Sequence, residues 1–185
     1  MIIRLSDCPS QPWRNGLGRT REIAVQTSVN GEAGFLWRVS LAEVDSAAPF
    51  SRFPGIDRQI VLLDGAGFHM TLDDGRSHAL TAPFEPFGFP GEAHVAVTLA
   101  GGPTRDFNLM VSRAQARGEL AVWRGPGRWI AEAGIVLVHA GRGPVDTPAG
   151  RLLTGDSWRG GPVAGSAIVL AEGAVALAVR LAQPE

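Results

Sequence analysis

The sequence predicts an all-β protein, folded as a sandwich or a barrel, and three observations support this. Its apolar residues fall in short runs, and 24 glycines and 13 prolines spread along the chain separate those runs. Several runs alternate apolar with polar residues, as strands do. Helical signals are scarce, because only residues 112–117 are compatible with a turn or two of helix, with Ser112 as a possible N-cap. Many short strands with few, short helices are typical of closed or layered β folds.

The clearest strand is 35–44, where the odd-numbered residues from Phe35 to Leu41 are apolar and Arg38 and Ser40 lie on the other face. That polar face either meets water or lines a ligand cavity inside a small barrel. Asp73-Asp74-Gly75 predicts a hairpin turn. In chain order, the predicted strands are 20–25, 35–44, 59–64, 67–72, 76–81, 94–99, 106–111, 119–123, 135–139, 166–171 and 174–181.

A weak internal repeat predicts two similar halves. Residues 61–67 resemble residues 136–143, and residues 89–92 parallel residues 153–156. We therefore predict an N-terminal half over 1–112 and a C-terminal half over 113–185, with strands shared between them.

Composition excludes several classes of partner. The net charge of −1 gives no electrostatic basis for binding nucleic acid. No apolar run approaches the roughly 20 residues that span a bilayer, so no membrane association is expected. The single cysteine, Cys8, and an N-terminus without a basic segment followed by an apolar one favour the reducing cytoplasm over secretion.

Residues 12–22 combine arginines, an amide and glycines within eleven positions. A guanidinium matches a carboxylate with two parallel hydrogen bonds, and glycine lets the backbone approach a ligand closely. The alternative is a surface loop held by Arg–Glu pairs, or a loop that closes one end of a barrel.

Two further segments carry polar residues in a pattern. In residues 49–58, Phe50 and Phe53 can anchor a loop into the core, Asp57 can hold backbone amides, and the role of Arg58 is open. In strand 106–111, residues 106, 108 and 110 share one face. This face is a hydrogen-bonding wall if it points inward and ordinary polar surface if it points outward.

The four histidines do not match a metal site. His69, His78, His94 and His139 include no pair two residues apart, which is the spacing that places two ligands on one face of a strand. His69 and His78 can meet across the hairpin, but no third ligand accompanies them. We therefore predict neither a metal nor a cofactor. No G-x-S-x-G motif supports a hydrolytic triad.

Four blocks, in order, resemble the HutD/Ves family: residues 13–23, 37–42, 49–58 and 106–110. Leu17 and Ala48 stand where the family often has glycine. The resemblance implies a bicupin, two cupin-like barrels in one chain, without the cupin metal ligands. It also implies a link to bacterial histidine utilisation, with N-formylglutamate as the suggested ligand, or to a stress response in members named Ves. It carries over no catalytic residue.

The resulting hypothesis is a non-catalytic protein that binds a small anion and has a possible homodimeric state. Arginines would bind carboxylates, amide and hydroxyl groups would bind neutral parts of the ligand, and acidic residues would orient the arginines. The predicted ligand-binding residues are Arg14, Asn15, Thr20, Arg21, Glu22, Arg38, Ser40, Asp57, Arg58 and Asn108.

Two alternatives stay open. The first is a metal-independent isomerase or hydrolase acting on a small acid, with Glu22 or Asp57 as general base, although a neighbouring arginine would lower the pKa of either carboxyl. The second is a protein-interaction module that exposes Trp123, Trp129 and Trp158, unless these fill the core of the second half.

Overall fold

A computed structural model describes residues 1–13, 16–28, 34–160 and 164–184. These residues form 18 strands and one short 3-10 helix, Leu5–Asp7, so the predicted all-β class is confirmed. The predicted helical segment is instead a single hydrogen-bonded turn, in which the amide of Ala116 donates to the carbonyl oxygen of Ser112 at 3.0 Å.

The chain divides into two compact units. One contains Pro9–Arg117 together with Pro184, and the other contains Met1–Cys8 and Gly118–Gln183. The first residues of the chain therefore belong to the unit that the C-terminal half builds. There, strand β1 (Ile2–Ile3) pairs antiparallel with β16 (Ser157–Arg159).

The unit formed by Pro9–Arg117 contains two antiparallel sheets. The larger has six strands in the spatial order β2 (Ser10–Pro12), β3 (Gly18–Thr27), β4 (Phe35–Val44), β10 (Thr104–Ser112), β5 (Ile56–Gly65) and β8 (Phe87–Pro90). The smaller has three, in the order β7 (Ser77–Leu80), β6 (Phe68–Leu72) and β9 (Val95–Leu99). Both sheets contribute to one apolar core, in which Ile60 and Leu62 of β5 pack with Phe68 and Met70 of β6.

The predicted hairpin joins β6 to β7, and Gly75 takes the left-handed conformation that its turn requires (φ +87°). Its register pairs His69 with Ala79 and Met70 with His78, so the two imidazoles project from opposite faces and do not meet. His78 instead stacks on Phe87, with ring centroids 3.9 Å apart.

The unit formed by Met1–Cys8 and Gly118–Gln183 also contains two sheets. One has the order β1, β16, β13 (Ile135–Arg142), β18 (Val175–Ala182) and β11 (Arg117–Arg124). The other has the order β12 (Gly127–Ile130), β17 (Ala167–Leu170), β14 (Val145–Thr147) and β15 (Gly150–Leu152).

The three C-terminal tryptophans pack in the apolar core of this unit. Trp123 and Trp158 are buried, and Trp129 stacks on Trp123 with ring centroids 5.6 Å apart. The interpretation that these rings fill a core is confirmed, and they form no exposed aromatic surface. Across the described ranges, no helix is long and apolar enough to cross a membrane.

Candidate functional site

A cavity of about 470 Å³ opens on the inner face of the six-stranded sheet. Its walls combine aromatic rings, two guanidinium groups, a carboxyl, an amide and hydroxyl groups. The lining residues are Pro12, Trp13, Thr20, Arg38, Ser40, Ala42, Pro49, Phe50, Ser51, Phe53, Arg58, Asp106, Asn108 and Met110. This volume suits a ligand of metabolite size.

Strand register explains why residues distant in sequence meet here. Met110 on the central strand β10 lies opposite Arg38 of β4 on one side and Arg58 of β5 on the other. Two residues earlier, Asn108 lies opposite Ser40. Directly opposed residues of antiparallel strands project from the same face, so both arginines face one cavity. The polar face of β4 therefore lines a cavity, and the strand containing Asn108 is a hydrogen-bonding wall.

The guanidinium group of Arg58 is buried, with only 6% of the residue exposed. Its central carbon lies 5.1 Å from the ring centroid of Phe50, 5.7 Å from that of Phe53 and 4.8 Å from that of Phe89. Cation–π attraction to three rings offsets part of the cost of burying this charge. Burial lowers the pKa of Arg58 to about 10, with the nearby Arg38 adding to this effect and Asp106 opposing it. Arg58 is therefore a fixed cation at neutral pH.

Hydrogen bonds connect this cation to a buried carboxyl group. Nη2 of Arg58 donates to Oδ1 of Asn108 at 2.8 Å, and Nη1 donates to the carbonyl oxygen of Ser51 at 3.4 Å. The amide nitrogen of Asn108 then donates to Oδ1 of Asp106. Two buried atoms, Nε of Arg58 and Oδ2 of Asp106, have no hydrogen-bond partner among the residues that the structure describes. Both residues line the cavity, and a buried polar atom without a protein partner is satisfied only by a ligand group or a water molecule.

Asp106 is the carboxyl group of this cavity, and it is 1% exposed. Burial raises its pKa to about 7, while the charge of Arg58 and the hydrogen bond from Asn108 act in the opposite direction. A carboxyl with such a pKa exists in both protonation states near neutral pH.

The second arginine is more accessible. Nε of Arg38 donates to Oε2 of Glu22 at 2.9 Å, and the two side chains are 25% and 44% exposed. An ion pair at this exposure contributes little to stability, and Arg38 can exchange Glu22 for another anion. Beside it, Nε1 of Trp13 donates to Oγ1 of Thr20 at 2.7 Å, which fixes the indole ring in the cavity wall.

The HutD family model matches residues 5–161 of this chain. The chain belongs to the HutD family. Among its relatives is a Pseudomonas putida protein known as an uncharacterized 21.2 kDa protein in the region 3′ of hutC, with 38% identity over 81% of this chain and 78% of that protein. The Ves protein of Escherichia fergusonii is 40% identical over 55% of this chain and 52% of its own length.

Solved structures agree with this membership. HutD from Pseudomonas fluorescens SBW25, determined in a formate condition, has 32% identity and a TM-score of 0.85 over 100% of this chain and 99% of that one. Oxalate decarboxylase of Lactobacillus farciminis, in a formate complex, has a TM-score of 0.69 at 10% identity, over 100% of this chain and 86% of that one. The latter likeness shows the cupin-like fold alone. The finer expectation of two complete cupin barrels stays a prediction.

In this HutD-family chain, the cavity contains half of the predicted ligand-binding residues. Thr20, Arg38, Ser40, Arg58 and Asn108 line it.

The other predicted residues that the structure describes do not line the cavity. Glu22 contacts the cavity only through Arg38. Arg21 lies 3.6 Å from Glu43, outside the lining. Asp57 is exposed and accepts a 2.7 Å hydrogen bond from Nε of Arg113. Arg14 and Asn15 lie outside the described residues.

The predicted set omits several residues of this site, Asp106 above all. Alternation along β10 places Asp106 on the same face as Asn108, and that face proved to be the inner one. The aromatic residues Phe50 and Phe53 anchor their loop, as expected, and also hold Arg58. Within the described ranges, no three His, Cys, Asp or Glu side chains lie close enough together to hold a metal ion.

Proposed function

We propose that this HutD-family protein binds a small carboxylate in the cavity of its Pro9–Arg117 unit and thereby modulates histidine catabolism. N-formylglutamate is the proposed ligand, and the cytoplasm is the proposed location. The observation that carries the proposal is the pair of guanidinium groups, Arg38 and Arg58, facing one cavity, the latter with a buried Nε that has no partner among the described residues. Such a donor is satisfied by an anionic oxygen.

The other walls suit an acyl amino acid. Ser40 and Asn108 present polar groups to the cavity, whereas Trp13, Phe50 and Met110 present apolar surface to an aliphatic chain. Charge-assisted hydrogen bonds contribute roughly 1.5–3 kcal/mol each. Two or three of them, after the costs of association, correspond to micromolar affinity, about −8 kcal/mol.

The relatives support this assignment by their names. One lies in the region 3′ of hutC, and another is named HutD and was determined in a formate condition. Formate is the smallest carboxylate and is the acid that hydrolysis of an N-formyl group releases.

A thermal-shift screen tests the proposal. N-formylglutamate, glutamate, urocanate and formate are compared on the wild type, on Arg38→Ala and on Arg76→Ala. Arg76 is a matched control, because it is an exposed arginine paired with Asp74 outside the cavity. At 100 times its dissociation constant, the ligand adds about 2.7 kcal/mol, which raises Tm by roughly 5–10 °C at this chain length. The shift should persist in Arg76→Ala and shrink in Arg38→Ala. A folded protein whose Tm responds to none of these acids would contradict the proposal.

A second candidate function is a metal-independent reaction on the same acid. Asp106 favours it, because a buried carboxyl with a pKa near 7 suits general acid or base catalysis. The two carboxylates that the sequence favoured for this role, Glu22 and Asp57, do not line the cavity. Release of formate from N-formylglutamate by the purified protein, lost in Asp106→Asn, would establish this function in place of simple binding.

A further inference from the structure

The proposed anion site contains an acidic residue of its own, and this raises a question of charge. Asp106 lines the cavity, is fully buried and is connected to Arg58 through Asn108. If Asp106 were ionised, its charge would offset that of Arg58, and an entering anion would meet a carboxylate in a poorly solvated space.

We infer that Asp106 binds the ligand as a neutral carboxylic acid, with its Oδ2 hydroxyl donating to an oxygen of the ligand's carboxylate, so that at alkaline pH each anion binds together with one proton. This inference rests on the proposed function. The proton comes from solvent and stays on Asp106, and the ligand remains a carboxylate. Asp106 is thus a residue that selects for an acceptor oxygen at its position in the cavity.

The unpartnered atoms support a neutral acid. Nε of Arg58 is a donor and Oδ2 of Asp106 is a carboxyl oxygen, and both are buried without a partner among the described residues. The carboxylate group of a ligand offers only acceptors, so it satisfies Nε directly but satisfies Oδ2 only when that oxygen carries a proton. The hydrogen bond from the Asn108 amide nitrogen goes to Oδ1 and leaves Oδ2 for the ligand.

The cations near Asp106 favour its ionised form, and a bound anion would offset part of their effect. Arg58 faces Asp106 from β5, and Arg38 lies on β4 in an ion pair with the partly exposed Glu22 of β3. The described residues of the 49–53 loop that line the cavity are Pro49, Phe50, Ser51 and Phe53, which are not titratable near neutral pH. A bound anion adds a negative charge beside Asp106 and cancels part of the attraction from Arg58. Both effects favour the protonated acid.

The pKa of Asp106 predicts the pH range in which the affinity for the ligand depends on pH. Burial raises it to about 7 before any ligand binds, and the anion raises it further. Below pH 7 the free protein already carries the proton, so affinity should not depend on pH. Above pH 7 the proton must be taken up, and Kd should increase about tenfold per pH unit until the pKa of the complex is reached. The ligand's own carboxylates are ionised throughout this range.

Isothermal titration calorimetry with N-formyl-L-glutamate, repeated with glutarate, tests the inference. Titrations at pH 6, 7, 8 and 9 in two buffers with different heats of ionisation count the protons taken up. The expected result is close to one proton at pH 8 and none at pH 6, with binding about fivefold weaker at pH 8 than at pH 7 and about tenfold weaker again at pH 9.

Asp106→Asn gives a second, independent readout. Asparagine keeps the shape of the acid and presents an amide donor but does not titrate, so this variant should bind with a Kd that is constant from pH 6 to pH 9. Asp64→Asn is the control, because Asp64 is an exposed carboxylate paired with Arg105 outside the cavity, and its pH profile should equal that of the wild type.

Three outcomes would overturn the inference. If affinity rises with pH and Asp106→Asn binds poorly, then Asp106 is ionised and accepts a hydrogen bond from an N–H of the ligand. If the wild type binds without proton uptake at pH 8, the inference fails while the proposed function stands. If no acid binds to the folded protein at any pH, both fail. Proton uptake by the wild type decides the matter even if Asp106→Asn does not fold.

Discussion

Arg58 donates a 2.8 Å hydrogen bond from Nη2 to the side-chain oxygen of Asn108 in the interior of the protein. The two residues are 50 positions apart, on the adjacent strands β5 and β10. Because the amide nitrogen of Asn108 in turn donates to Asp106, one neutral side chain connects a buried cation to a buried carboxyl. The hydrogen bonds between the two charged side chains of the site therefore pass through the uncharged side chain of Asn108.

Replacing Asn108 with leucine, a residue of similar size, should destabilise the protein severely. The change removes one partner of Arg58 and the one hydrogen bond that the structure shows for the Asp106 side chain within the described ranges, so two buried groups each lose a hydrogen bond. We expect the free energy of unfolding to fall by about 2–5 kcal/mol. Urea denaturation measures this, with exposed Asp64→Asn as control. A loss below 0.5 kcal/mol, on the order of a surface substitution, would contradict the connecting role of Asn108.

Much of the fold could be predicted from the sequence, because periodicity marks long strands clearly. The strand predicted over 35–44 is β4, residue for residue, and the strand over 106–111 lies within β10. Several strands of only two or three residues, such as Ile2–Ile3 and Val145–Thr147, were not predicted. Their existence depends on long-range pairing rather than on a local pattern.

The site was predictable only in part, for a related reason. Alternation places Asp106 and Asn108 on one face but does not say whether that face points inward. That depends on the second sheet and on the loop containing Phe50, which cover the face in the folded unit. Motif resemblance pointed equally to Arg58, which is buried in the cavity, and to its neighbour Asp57, which is exposed.

Arg58→Lys should not be a conservative change. Arginine's planar group contacts three aromatic rings and spans Asn108 and the Ser51 carbonyl, whereas a lysine ammonium is more strongly hydrated and loses more on burial. We expect Kd for the acid to increase about tenfold or more, equivalent to about 1.4 kcal/mol, with a lower Tm. Calorimetry measures binding, and Arg76→Lys serves as control. Unchanged affinity in Arg58→Lys would show that a point charge suffices and that the stacked guanidinium is not required.

Glu22→Gln should change stability little and strengthen anion binding. The ion pair with Arg38 is partly exposed, so its loss costs less than about 1 kcal/mol. Without its carboxylate partner, Arg38 becomes fully available to the ligand, and we expect Kd to decrease, most clearly at low ionic strength. Titrations at two salt concentrations provide the measurement. Weaker binding in Glu22→Gln would mean instead that Glu22 orients Arg38 for the ligand.

Gly91→Ala should lower stability and weaken ligand binding, although Gly91 does not line the cavity. The carbonyl oxygen of Gly91 accepts a 2.7 Å hydrogen bond from the backbone amide of Phe53. The backbone amide of Gly91 donates another, also of 2.7 Å, to the carbonyl oxygen of Ile56. An added Cβ would lie 2.6 Å from the Phe53 carbonyl oxygen, so the loop must move and displace the Phe53 ring. We expect a loss of about 1–3 kcal/mol in stability and weaker binding.

Gly88→Ala is the matched control for this change. It lies on strand β8, which ends one residue before Gly91, and an added Cβ there would meet its nearest neighbour at 3.8 Å. Denaturation and calorimetry on both variants separate the effect of the contact from that of replacing glycine. Equal behaviour of the two variants would show that the Phe53 loop adapts without cost.

Asp106→Asn should become more stable relative to the wild type as pH rises from about 4 to about 7. Burial raises the pKa of Asp106 to about 7 in the folded protein, whereas an unfolded aspartate has a pKa near 3.9. Between these values the folded state keeps a proton that the unfolded state has lost. The contribution of Asp106 to stability is therefore complete below pH 4 and is lost as pH rises through 7.

The difference in proton binding between the folded and unfolded states also sets how much the stability changes with pH. The free energy of unfolding of the wild type should decrease, relative to the variant, by up to about 1.4 kcal/mol per pH unit in this range and by nothing further above it. Urea denaturation of both proteins at pH 5, 6, 7 and 8 gives the difference directly, and effects of the other carboxylates cancel because the two proteins share them. The free energy of unfolding of the control variant Asp64→Asn should change with pH as that of the wild type does. If the free energy of unfolding of Asp106→Asn also changes with pH as that of the wild type does, then Asp106 is ionised in the folded protein well below pH 7. Its charge would then be compensated by Arg58, to which Asn108 connects it.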